Sequence, residues 1–224
     1  MTTTGSASPL TRSFSATGAA IADATITVIA RDGFDRVSVR TVAAQSHLAP
    51  GTVQYHARTR QALLTDAFIR SMQRQNERVL SLPSADTPLQ ALHRALIELL
   101  PTTGVRREDA ALWVTYGAAA STRPWLADLY WEALAHFRSR LESALTVAQD
   151  TGHLRAGISP ASGARLVTAL VNGLTIDHLN APEAEQQVIE EELRRGLELI
   201  VCSVPAASRR AATGRGGGDC RWRR

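Results

Sequence analysis

The chain is expected to be all-α, and three observations carry that expectation. Apolar residues recur at helical spacing in nearly every segment, no stretch alternates with the period of two that a half-buried strand needs, and Pro, Gly, Ser and Thr fall between the periodic segments. The first helix spans about Thr17 to Arg31, with Ile21, Ala24, Val28 and Ile29 on one face and Gly33 just past its end. Ser38 is placed to N-cap a second helix from Val39 to about Ser46, whose Val39, Val42 and Ala43 form a narrow apolar stripe. His47-Leu48-Ala49-Pro50 breaks that periodicity, and a short third helix follows over about Gly51 to Ala57. Arg60 to Leu80 reads as the fourth helix, with Leu63, Leu64, Ala67, Phe68, Ser71 and Met72 in register. Thr87-Pro88 opens a fifth through Leu100, and a sixth lies at about Glu108 to Ser121. Pro124 opens a seventh to about Asp150, Ser159-Pro160 starts the eighth, and Pro182 separates it from a ninth running to about Val204.

The stretch from Val37 to Leu63 carries the functional signal. Its third helix is too short to be stable alone, so the second must hold it across a tight turn. It presents Thr52, Gln54, Tyr55 and His56, which can donate, accept and stack, while Val53 points inward. A short exposed helix of that composition, braced across a turn, is how a helix-turn-helix offers side chains to a DNA major groove.

Gly33-Phe34-Asp35-Arg36-Val37-Ser38-Val39-Arg40-Thr41-Val42-Ala43, then Pro50-Gly51-Thr52-Val53-Gln54-Tyr55-His56, then Arg60-Gln61-Ala62-Leu63-Leu64 resemble the N-terminal domain of TetR/AcrR-family transcriptional regulators in order and spacing. The match covers roughly residues 17 to 70. The later segments, with Trp-rich helices, Val171-Asn172-Gly173-Leu174 and two closing helices, look like the subgroup of BetI-type regulators, a likeness that concerns the fold. The chain departs from the family at three points: His47 stands where a Gly is usual, Ala57 replaces an aromatic, and Arg60 replaces a Lys. The resemblance implies a homodimer that binds double-stranded DNA at an operator and a small-molecule effector in its helical body. The expected organisation is a flexible arm at 1–16, a helix-turn-helix domain at 17–60, a ligand-binding and dimerisation domain at 61–204, and a disordered basic tail at 205–224.

Charge follows the same division. All 25 basic residues are Arg. Residues 1–80 hold nine Arg against five acidic residues, 81–204 hold ten against fifteen, and 205–224 hold six against one. A basic DNA reader joined to an acidic body fits that pattern. No apolar run of membrane-spanning length and no secretory signal is seen, and Cys202 and Cys220 suggest neither a disulfide framework nor a zinc site. A reducing cytoplasm, no membrane and no cofactor are the expectation. The absence of CxxC, HExxH and GxxxxGK[ST] patterns argues against an enzyme.

Candidate residues follow by role. Gln54 suits an adenine edge, with Thr52, Tyr55 and His56 toward bases or nearby phosphates; Arg40 reaches a guanine or a phosphate, and Arg58 and Arg60 grip the backbone. For Tyr55 and His56 the competing reading is inward packing on the first helix. Phe68, Met72, Trp113, Tyr116, Trp131 and Asn172 are candidates for a ligand pocket, apolar walls with a few polar groups, although aromatics at this spacing also build cores. Leu166, Leu170, Gly173 and Leu174 on the eighth helix, with Leu193, Leu197 and Ile200 on the ninth, are candidates for a dimer interface in a four-helix bundle; the competing reading puts them in the monomer core. The reading is a repressor released from a pseudo-palindromic operator by a small molecule. The alternative is a DNA-binding protein controlled by a protein partner or acting architecturally. A cavity between the fourth and eighth helices favours the first, and a filled core the second.

Overall fold

The computed structural model describes residues 11–102, 104–182 and 188–203. Nine α-helices occur among them: α1 (Ala16–Asp32), α2 (Val39–Ser46), α3 (Pro50–His56), α4 (Arg60–Leu80), α5 (Pro88–Ile97), α6 (Gly104–Ala120), α7 (Pro124–Asp150), α8 (Pro160–Asn180) and α9 (Ile189–Glu198). The all-α expectation holds, and most boundaries fall within a residue or two of those expected. The basic tail, the ten N-terminal residues and Cys220 lie outside the described residues.

The caps explain the starts. The Ser38 hydroxyl accepts from Thr41 N–H while Thr41 Oγ1 accepts from Ser38 N–H, a reciprocal box at the head of α2. Ser159 and Ser162 repeat it on α8, and Ser15, Thr59 and Thr87 cap α1, α4 and α5. Proline fills the first position of α3, α5, α7 and α8, where its missing N–H costs nothing.

Three ends differ from expectation. α5 stops at Ile97, because Leu99 and Leu100 N–H bond back three residues instead of four, tightening the last turn. α6 starts a turn early, at Gly104, where Arg106 turns back to Glu98 and Thr102. α9 ends at Glu198 rather than near Val204. Its continuation pairs with the segment after α7: Arg155 N–H donates to Ile200 O and Cys202 N–H to His153 O, at 3.0 and 2.7 Å. Helix was abandoned there because the extended backbone bonds satisfy groups on both segments.

Two apolar cores are joined by α7. The first gathers α1 to α4 with Leu112 and Tyr116 of α6 and Leu126, Leu129 and Ala133 of α7. It therefore runs without a break from the helix-turn-helix into the body. The second gathers α5, α8 and α9 around Leu141, Leu145 and Ala148 at the other end of α7. α8 and α9 lie so close that a Cβ added to Gly196 would sit 2.5 Å from Leu170 Cδ2.

Candidate nucleic-acid interface and ligand pocket

α2 and α3 meet at a turn made by one unusual residue. His47 has φ 56° and ψ 29°, and it is the one described non-glycine residue with positive φ. Its N–H and that of Leu48 both donate to Ala43 O, closing α2 in a left-handed cap. Val53 and Ala57 are buried, which fixes α3 on α1 and α2. The opposite face is free: Gln54 is exposed, Thr52 half-buried, and Tyr55 80% exposed with its ring edge-on to His56. Exposure at that level excludes the inward alternative for Tyr55. His56 is half-buried, and a Cβ on Gly18 of α1 would lie 3.9 Å from its Nδ1. His56 thus stands between α3 and the head of α1. Arg40 and Arg58 are exposed, with no hydrogen bond or ion pair to another described side chain.

Arg60 has a different position from the one its charge suggested. Its Nε donates to Val37 O at 3.0 Å, one Nη to Phe34 O at 2.6 Å, and the guanidinium lies over the Phe34 ring at 5.1 Å and 3.4 Å from Asp35. It ties the head of α4 to the turn before α2. Those bonds use most of its donor fork within the fold.

The body contains a cavity of about 330 Å³ between α4, α5, α6, α7 and α8. Leu92, Leu96, Leu99, Val79, Phe137 and Val171 make its apolar walls. Among the residues proposed from sequence, Met72, Trp113 and Asn172 line it, and Trp113 Nε1 donates to Asn172 Oδ1 at 3.0 Å. The other three are placed elsewhere. Phe68 and Tyr116 are fully buried in the first core, with rings stacked 4.9 Å apart and Tyr116 Oη donating to Leu64 O at 2.6 Å. Burial pushes the Tyr116 phenol well above its ordinary value, so it remains a donor. Trp131 is exposed on α7 under Arg138, beside a separate shallow groove. These three placements have one cause: helical spacing shows that an aromatic has a preferred face, not which neighbour occupies it.

Gln73, Gln75, Asn76 and Arg140 were not among the residues drawn from the sequence, and they form the polar mouth of the cavity. Gln73, Gln75 and Asn76 from α4 face His136 and Arg140 from α7, and Arg140 donates to Asn76 Oδ1. The signal was present, since His136 and Arg140 fall at i and i+4 on the face that holds Phe137 and Leu141.

The far side of α4 is held by charge. Asp109 of α6 is 1% exposed and faces three α4 side chains: Ser71 donates to Oδ1 at 2.8 Å, Arg74 lies 3.0 Å from Oδ1, and Arg78 lies 2.9 Å from Oδ2. Arg74 also reaches Asp23 of α1 and Glu108, and Arg78 reaches Glu98. Burial pushes the Asp109 carboxyl up, while Arg74, Ser71 and Arg78 pull it down.

The proposed dimer residues divide between surface and core. Leu193, Leu197 and Ile200 are buried in the second core, and Leu170 and Leu174 pack against it. Leu166 is 52% exposed, and Gly173 is exposed with no atom within 4 Å of where a Cβ would stand. The outward apolar line is Leu166, Ala169, Gly173 and Ile176 on α8, with Leu199 after α9 at 71% exposure. Periodicity placed α9 apolar residues outward because it cannot distinguish the two sides of a helix packed within its own chain.

Known proteins agree with this architecture. A family model described as bacterial regulatory proteins, tetR family, matches residues 21–67, and one described as BetI-type transcriptional repressor, C-terminal, matches residues 88–201. The chain belongs to the TetR family of DNA-binding transcriptional regulators, with a BetI-type C-terminal region. A transcriptional regulator from Rhodococcus sp. Rha1 has a similar structure: 26% identity, TM-score 0.73, 84% of this chain and 99% of that one covered. A putative transcriptional regulator from Saccharomonospora viridis in complex with choline shares the fold at 22% identity and TM-score 0.73, over 82% and 97% of the two chains. So does SmeT, the repressor of the Stenotrophomonas maltophilia multidrug efflux pump SmeDEF, at 20% identity and TM-score 0.64, over 88% and 96%. No curated protein matches the chain by sequence. No helix of the described residues is long and apolar enough to cross a membrane.

Proposed function

We propose that this protein is a homodimeric repressor that leaves a pseudo-palindromic operator when a small molecule fills the cavity. The observation that carries the reading is the double engagement of α4. Its first residue, Arg60, is bonded to the helix-turn-helix, while Met72, Gln73, Asn76 and Val79 farther along line the cavity. A ligand that prefers one position of α4 therefore biases the placement of α3. Coupling of about 1–3 kcal/mol, the usual allosteric scale, changes operator affinity roughly 5- to 150-fold. Two copies of α3 spaced by about 34 Å would read successive major grooves. Gln54 and Thr52 read base edges, Tyr55 and Arg40 reach bases or the adjoining phosphates, and Arg58 grips the backbone. The Saccharomonospora viridis relative solved with choline and a SmeT–triclosan complex support effector control in this fold.

The test is selection of sheared genomic DNA by the purified protein, with retained fragments sequenced and binding repeated at raised salt. A shared two-fold site that survives moderate salt is expected. Retention without a common site, lost uniformly as salt rises, would show that only Arg charge is being read, and the repressor reading would fall.

A further inference from the structure

The chemistry around the cavity narrows what can occupy it. Its charged lining group is Arg140, and none of its described lining residues is acidic. No described carboxylate pairs with Arg140; its bonded partner is the Asn76 amide oxygen. Trp113 and Arg are donors without acceptors, so their bonds fix the orientation of both lining asparagines. Asn172 Oδ1 is taken by Trp113 and Asn76 Oδ1 by Arg140. Each asparagine is left with its N–H groups to offer. Gln73 and Gln75 donate theirs to Arg12 O and Ser71 Oγ and keep amide oxygens, so the lining mixes neutral donors and acceptors around one permanent positive charge, Arg140. A cationic ligand finds no counter-charge there. Nor does it find an aromatic cage, since the Trp113 ring packs on Tyr130 at 4.5 Å and on Phe68 at 6.1 Å.

We propose that the effector is an amphiphilic carboxylate: an apolar chain or ring system between α5 and α8, with its single anionic head at the mouth against Arg140, Asn76 and His136. The proposal rests on the ligand-controlled reading above and assigns that ligand a class. A planar guanidinium at the mouth matches a carboxylate with two parallel hydrogen bonds, and the head displaces Asn76 Oδ1 as the acceptor. The apolar walls select the body by area, and Arg140 selects the charge. Helix α4 supplies Asn76 and α7 supplies Arg140, so a bound head bridges the two helices across the mouth.

Three matched probe series test this by calorimetry on the full chain. They are straight-chain carboxylates of roughly six to ten carbons, suited to a cavity at the low end of the usual size range, the primary alcohols of equal length, and the corresponding alkyltrimethylammonium ions. The carboxylates should bind about tenfold or more tighter than the alcohols, the scale of a hydrogen bond to a charged group, and the ammonium ions weakest. Arg140→Gln should erase the carboxylate preference, bringing acids and alcohols of equal length to the same affinity. Arg140 is exposed, so the variant is expected to fold, which circular dichroism checks. Equal binding of acids and alcohols, or tighter binding of the ammonium series, overturns the carboxylate assignment and leaves the pocket reading standing. If no series binds, the pocket reading fails and this assignment with it.

Discussion

Single residues show where chemistry is set by type and where by neighbours. His47 occupies a left-handed turn that glycine would take without strain, and the bonds of its own N–H and Leu48 N–H to Ala43 O hold it there. That position was legible from the break in periodicity. The role of Arg60 was not, because an arginine before a helix looks the same whether it faces phosphate or a backbone carbonyl. Two substitutions separate these roles. Arg58→Ala should reduce the slope of log affinity against log salt by about 0.9 for each phosphate released. Arg60→Ala should leave that slope nearly unchanged and lower the melting temperature instead, because Val37 and Phe34 carbonyls lose their partner. Parallel salt titrations and thermal scans decide it; a full slope loss for Arg60→Ala returns that residue to the DNA backbone.

At the scale of elements, α4 carries the coupling proposed between cavity and helix-turn-helix. One face borders the cavity and the other is clamped to α6 by Asp109. Of the first face, the apolar period of 3.6 showed only Met72 in sequence. The second was hidden because Arg74 and Arg78 read as solvated surface until Asp109 is brought against them, while Ser71 falls in the apolar register. The fold covers these residues with α1 and α6. Asp109→Asn should leave two shielded guanidinium groups short of a carboxylate and cost about 3 kcal/mol, read from denaturant unfolding. A loss below about 0.5 kcal/mol would show that Glu98, Glu108 and Asp23 alone hold the helix, as expected for ordinary surface pairs.

The whole molecule is organised by which apolar surfaces are used within the chain and which are left over. Leu193, Leu197 and Ile200 close the monomer, and Leu166, Ala169, Gly173, Ile176 and Leu199 stay outside. Small residues between larger ones allow close approach of a second α8, which fits a two-fold bundle. On the homodimer proposed above, Leu166→Arg should halve the mass measured in light scattering and weaken operator binding toward the nonspecific level, on the order of 10³-fold. Leu193→Ala should instead cost about 2–5 kcal/mol of stability by opening a cavity in the second core. An unchanged dimer in Leu166→Arg would remove this face from the interface.

The sequence by itself determined the helices, their caps and the reading helix, since these depend on local periods, on hydroxyls one residue before a helix, and on prolines at helix starts. It also named Met72, Trp113 and Asn172, which line the cavity. Tertiary structure alone decided which aromatics became core, which apolar face of α8 and α9 remained free, and that Arg140 meets Asn76 over the cavity. The reason is physical: a helix carries its period in its own backbone geometry, but the partner of each face is set by packing against residues far away in the chain.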